Sequence, residues 1–389
     1  MEKEAPPSPP PAKSKWKSWR FLLFALLFVL GLLFVVGFVF FQTHSTESSA
    51  TFAFRSPDGR YEFLGRKLTI TDGFYFSGLP YAEAFRFSAA ERVDLFMNET
   101  ATVWPRECPS AYFSRGAEEC LKLNIYRCGD AMRGVFLPVL VYVPEGEPDS
   151  ESSANLDPLH VINNLACRGM VVVSVHYRQD VFSQFTLGER ILKPNLGVLD
   201  VRAAIEWVHE NIEKFFGDNS RVTVMGSKNG ARILSYLSRV PQVKHLFSNM
   251  ILVDGALESP QLFPSTRDLL VQQSRRFSNL LACSRPTDDF ERMSKRQFGQ
   301  VMACLRRTRR PAILRAEMKM RGGFVKWPLD STAVRDAAIP PMNVMLGTCH
   351  APDPPLTERN PRVVQKLRAT LQRTPDFNRT ADPNAFVEH

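Results

Sequence analysis

Several things are missing from this chain, and each absence narrows what it can do. None of its seven cysteines stands in a CxxC spacing, which removes the usual ligand pattern of a structural zinc site and of a redox dithiol. No segment repeats internally, so no repeat architecture is expected. The formal charge is +9, yet the basic residues are not interleaved with aromatics and form no recognition motif, so nucleic-acid binding is not expected. They concentrate instead at the extreme N-terminus and from Arg275 to Arg321, as on solvated helix faces. Nothing in the pattern implies a metal or a cofactor.

Charge is also absent from Phe21 to Phe41, a run built from Phe, Leu, Val, Ala and two glycines. At about 1.5 Å per residue it spans the roughly 30 Å hydrocarbon core of a bilayer, so a transmembrane helix is expected over 21–41. Lys13, Lys15, Lys17 and Arg20 precede it with Trp16 and Trp19, whereas Gln42 to Thr51 holds no Lys or Arg. Positive residues stay cytosolic and tryptophans sit at the interface, so a single-pass, type II arrangement follows, with everything after Gln42 lumenal or extracellular. A cleaved signal peptide is the alternative, although the apolar core exceeds the roughly 7–15 residues of such peptides. Residues 1–20, with Pro6, Pro7, Pro9, Pro10 and Pro11, read as an unpacked cytoplasmic tail. Residues 42–56 read as a stalk, and 57–389 as the ectodomain.

That topology places the cysteines (Cys108, Cys120, Cys128, Cys167, Cys283, Cys304 and Cys349) where disulfides persist. Spacing alone does not fix the pairing, and the odd count leaves one thiol over. Two sequons, at Asn98 and Asn378, are candidate glycosylation sites.

Along the ectodomain, Tyr61 to Phe87 alternates around turn signals at Gly65 and Asp72-Gly73, as hairpins do. Leu137 to Val143 and Met170 to Tyr177 read as buried strands, with a crossing helix over His160 to Arg168. The spacing of Val201, Ile205, Val208, Ile212 and Phe215 predicts an amphipathic helix over Asn195 to Phe216. Val222 to Met225 reads as a strand. It runs into Gly226-Ser227-Lys228-Asn229-Gly230 and then a helix, the strand–turn–helix frame of a nucleophile elbow. Asn249 to Val253 and Asn343 to Leu346 are further strand candidates. Strands alternating with helices at this spacing imply a mostly parallel sheet covered on both faces.

Specific stretches now acquire a family look. Ser77-Gly78-Leu79-Pro80-Tyr81-Ala82-Glu83 resembles a GIPYAE motif, and Glu118 to Tyr126 resembles EDCLYLNVY. Asn195 to Asp200 matches NxGLxD, and the elbow stands where that family has GESAG. Over roughly Thr51 to His350 the chain therefore resembles the type B carboxylesterases, the cholinesterase and neuroligin family of α/β-hydrolases. The resemblance implies an α/β-hydrolase fold, here expected to be incomplete at its C-terminal end. It also implies disulfides Cys108–Cys120 and Cys283–Cys304.

Ester hydrolysis needs a hydroxyl nucleophile, a histidine base, an acid to orient it and backbone donors for the oxyanion. The nucleophile position holds Lys228. Ser227, one residue away on a sharp turn, is expected to face elsewhere. The family's oxyanion loop aligns with Pro144-Glu145-Gly146-Glu147-Pro148, which brings negative charge to the oxyanion's place and prolines without N–H donors. The acid position falls near Pro352, and His389 and His350 lack the context of a catalytic base. The expectation is a non-catalytic, membrane-anchored esterase-like protein that recognises an extracellular protein ligand. The alternatives are a residual ester hydrolase of altered mechanism and a truncated product without independent function.

Overall fold

The computed structural model describes residues 26–34, 49–110, 116–129, 134–145, 154–188, 192, 194–255, 267–290, 292–320 and 342–347. The chain divides into two compact units, Met1–Ser48 and Ser49–His389. In the first, residues 26–34 are helical; the rest of the span expected over 21–41 lies outside the described residues. No helix among the described residues is long and apolar enough to cross a membrane.

Among the described residues the second unit has twelve strands: β1 (Ser49–Arg55), β2 (Glu62–Leu68), β3 (Gly73–Pro80), β4 (Ala82–Glu83), β5 (Glu91–Arg92), β6 (Asn98–Thr100), β7 (Lys122–Cys128), β8 (Leu137–Val143), β9 (Val171–Val175), β10 (Gly217–Ser227), β11 (Asn249–Val253) and β12 (Asn343–Gly347). Ten form one sheet in the order β1-β2-β3-β7-β9-β8-β10-β11-β12, with β6 paired to β2. From β9 to β12 every pairing is parallel. From β1 to β9 the path is antiparallel. The sheet is therefore mixed: β1, β2 and β3 follow one another through short turns, which join only antiparallel neighbours, whereas β8, β9, β10, β11 and β12 are separated by helices.

One boundary is corrected. Ser49–Arg55, expected within the stalk of 42–56, is an edge strand in full register with β2. Its aromatics hold it there. Phe54 packs on Phe74, Phe76 and Phe215, and Phe63 lies 4.4 Å from Phe215, centroid to centroid. Phe54 and Phe63 are buried in the central core with Phe215, and a polar, small composition around them concealed that contribution.

Among the helices, α1 (Pro158–Asn164) starts at Asp157, whose carboxylate accepts from the His160 N–H, and a short 3₁₀ turn over Ala166–Arg168 follows it. α2 (Asp180–Gln184) leads to α3 (Leu196–Asn211), which tightens into a 3₁₀ turn over Ile212–Phe215. α3 buries Val201, Ile205 and Val208, while Arg202 and Glu206 pair on its wet side at 2.8 Å. α4 (Asn229–Leu237) follows the elbow. α5 (Arg267–Leu280), α6 (Lys295–Arg307) and α7 (Arg310–Lys319) form a helical layer with its own core of Phe182, Phe185, Phe277, Leu305 and Ile313. That layer is tied to the sheet unit by polar bonds. The Val181 N–H donates to Glu317 Oε1 at 2.7 Å, and Arg86 donates to the carbonyls of Leu305 and Thr308 at the end of α6.

Three disulfides form: Cys108–Cys120, Cys283–Cys304 and Cys128–Cys167. The third pair was left open by the sequence, and Cys349 lies outside the described residues.

Candidate active site at the strand-to-helix elbow

The elbow is shaped by what the surrounding backbone leaves no room for. β10 runs buried between β8 and β11, with Gly226 opposite Val143 and Ser227 opposite Val253. The chain then turns at Lys228, which takes φ 43° and ψ −104°, and α4 begins at the next residue. A positive φ on a non-glycine residue costs of order 1–3 kcal/mol and persists only where the surroundings impose it. Here they do. A Cβ on Gly226 would stand 2.5 Å from the Ala231 nitrogen, and one on Gly230 would stand 2.2 Å from the Val143 oxygen. A Cβ on Gly255 would meet the Lys228 carbonyl at 2.4 Å. The Lys228 N–H donates to the Val253 carbonyl at 2.7 Å, and its own carbonyl accepts from the Arg232 N–H at 3.1 Å. The geometry that presents a nucleophile is thus intact, and it presents a lysine.

Glu145 answers that lysine. It leaves the end of β8 directly after Pro144 and is 3% exposed, and its Oε1 lies 2.6 Å from Lys228 Nζ. A buried carboxylate requires a partner. The lysine also gains from the pairing, because a cation at a helix N-terminus faces the positive end of the macrodipole and an anion beside it offsets that repulsion. Pro144 contributes through its carbonyl, which accepts from the Tyr177 hydroxyl at 2.7 Å. Burial, reinforced by the nearby Tyr142 and Glu145, pushes the Tyr177 hydroxyl far above the usual phenol range. Burial and then Glu145 raise Tyr142 as well. Both therefore stay neutral hydroxyls near pH 7.

Of the residues singled out from sequence, Gly226, Ser227, Lys228, Asn229 and Gly230 form the turn, and Glu145 is brought against it. Asn229 is buried, and its Oδ1 accepts from Arg232 at 2.8 Å. Gly146, Glu147, Pro352, His350, His389 and Asn378 lie outside the described residues. Asn98 is exposed at the start of β6. Among the described residues no group of three or more His, Cys, Asp or Glu could hold a metal ion.

Sequence reasoning passed over His176, which follows the valine run of β9 and is buried. Its Nε2 lies 3.1 Å from Asn155 Oδ1 and its Nδ1 lies 3.3 Å from Glu107 Oε2. Asn155 in turn donates to Glu107 Oε1 and to the Pro105 carbonyl. Nε2 is thus hydrogen-bonded within a local network that anchors the loop before β7, while Nδ1 lies near Glu107 without a hydrogen bond. A polar residue directly following a fully buried valine-rich strand is the signal that marks it.

The comparisons agree with this geometry. The model of the carboxylesterase family matches residues 62–344. Carboxylesterase 3 of Homo sapiens is 37% identical over 169 residues, covering 43% of this chain and 28% of that protein. Esterase FE4 of Myzus persicae is 28% identical over 299 residues, covering 74% of this chain and 47% of its own length. The chain thus spans less than half the length of these curated relatives. A solved carboxylesterase from Geobacillus stearothermophilus, EST55, matches with a TM-score of 0.61 at 23% identity, over 82% of this chain and 66% of that one, which shows the shared fold. With a strained elbow between parallel strands, and a family match across more than half its residues, the chain belongs to the carboxylesterase family and has its α/β-hydrolase fold.

Proposed function

We propose that this protein is a non-catalytic member of the carboxylesterase family, held at a membrane by its apolar N-terminal segment, whose exoplasmic domain recognises another protein. The observation that carries the reading is the Lys228–Glu145 pair, 2.6 Å apart at the crest of the elbow. A lysine nitrogen held 2.6 Å from a carboxylate is directed at that partner and not at a substrate carbonyl, which makes it a poor nucleophile. The carboxylate also stands on the loop that must stabilise an oxyanion, where negative charge opposes the reaction. The three disulfides support an oxidising compartment, and the lysine flank before Phe21 supports the type II orientation. Protein recognition is drawn from resemblance to the neuroligins, which is analogy of fold.

Two measurements test the reading. Treatment with an organophosphate probe followed by intact-mass analysis is expected to leave the mass unchanged, and a stoichiometric adduct would overturn the loss of catalysis. Fluorescently labelled protein on live cells is expected to bind saturably and in a protease-sensitive way; unsaturable binding would overturn recognition. The relatives' names describe esterases, and turnover of short aryl esters abolished by Lys228→Ala would favour a hydrolase of altered mechanism instead.

A further inference from the structure

The helical layer over the sheet carries a charge that its own structure does not use. Between Leu269 and Met320, ten lysines and arginines are exposed among the described residues, against one exposed acid, Asp289. That acid is already engaged by Arg292 at 3.7 Å. Cations near a helix C-terminus ordinarily answer the dipole and the free carbonyls there. At the end of α6 that role is taken by Arg86, which donates to the carbonyls of Leu305, Arg306 and Thr308 while pairing with Glu118 through both nitrogens. Arg307 and Arg309 are therefore surplus to the capping of α6. Among the described residues neither they nor Arg296, Arg315 or Lys319 forms an ion pair.

Arg307 and Arg309 flank the short turn into α7, and Arg315 and Lys319 follow one turn apart along its exposed side, beside Met318. Arg315 and Lys319 are about 6 Å apart along the helix axis. The Cys283–Cys304 bridge ties the loop after α5 to α6, the helix that ends at Arg307. Arginine forks match tetrahedral oxyanions in a bidentate way. Several such cations spread over one helical layer suit an extended polyanion, which can reach them in turn, better than a single compact anion.

The compartment selects which polyanion. Three disulfides belong where thiols are oxidised, and the abundant linear polyanions there are sulfated glycans. We infer that the exposed arginines at the α6–α7 turn and along α7 form a docking surface for sulfated polysaccharide. This inference rests on the charge pattern and the disulfides and not on the state of the elbow, so its test and the tests of catalysis fail separately.

The full chain, in mild detergent, is titrated onto immobilised heparin over a range of sodium chloride concentrations. Tight retention on heparin and weak retention on desulfated heparin are expected. The triple variant Arg307→Glu/Arg309→Glu/Arg315→Glu is expected to bind about tenfold or more weakly. Its salt slope should fall by about two, since each neutralised anion contributes about 0.7–0.9 in nucleic-acid polyanions. A charge-matched reversal elsewhere, Arg60→Glu/Arg106→Glu/Arg168→Glu, is expected to bind within about twofold of the parent, as distant surface charges are screened. Equal loss in both triple variants, or equally tight binding of duplex DNA, would show bulk charge attraction and overturn the inference. If thermal melting shows the triple variant unfolded, Arg315→Ala and Lys319→Ala replace it; unchanged heparin affinity in both would likewise overturn the assignment.

Discussion

At the scale of the single residue, two charge pairs organise the molecule and do different things. Arg178 and Asp200 are both buried and bonded at 2.8 and 2.6 Å. Burial alone would lower the arginine's pKa, but the charge and hydrogen bonds of Asp200 outweigh it and the net shift is upward. Asp200→Asn should strand a buried guanidinium and lower unfolding stability by about 3–5 kcal/mol in denaturant titration. Lys228 and Glu145 form the second pair, with the lysine 47% exposed, so solvent limits its worth. Lys228→Ala is expected to cost about 1–2 kcal/mol, and adding Glu145→Gln should return part of that loss. Glu145 and Lys228 were each singled out in the sequence, as departures from the resembled family's oxyanion loop and elbow. Their mutual contact was not, since the 82 positions between them carry no signal that they meet.

At the scale of the element, the elbow is held by glycines. Gly230→Ala would drive a methyl group into the Val143 carbonyl and is expected to cost about 3 kcal/mol or more, read from the denaturation midpoint. β6 offers a test of opposite sign. Burial of Glu99 in this strand raises its pKa above the ordinary 4.5, so the folded state binds its proton more readily than the unfolded chain. The stabilising contribution is present below the unfolded pKa and is lost as pH rises through the folded one. Glu99→Gln should therefore raise the melting temperature near pH 7 and leave it unchanged below about pH 4. Most elements were legible because their periodicity is strong: the 3.6-residue stripe of α3, the valine run of β9 and the turn glycines of β10. β1 was not, since its phenylalanines alternate among small and polar residues and find their partners only across the sheet and at Phe215.

At the scale of the whole molecule, topology brings the ends of β8 and β10 side by side, as the crevice rule for α/β sheets requires of a ligand site. Fold class and family followed from motifs spread over the chain, because each motif fixes a local turn or buried pair that the sheet needs whether or not it catalyses. The antiparallel half of the sheet and the separate core of the helical layer were less legible, since strand direction and helix packing depend on distant contacts.

The proposed reading is that the elbow serves as a scaffold and that its lysine, 2.6 Å from Glu145, performs no ester hydrolysis. It is tested most directly by following release of the phenolate from a short-chain aryl ester, with the protein and its Lys228→Ala variant run at equal concentration beside buffer. The account predicts that neither exceeds the buffer rate by more than slow, unsaturable background. Saturable turnover by the protein that vanishes in Lys228→Ala would contradict it.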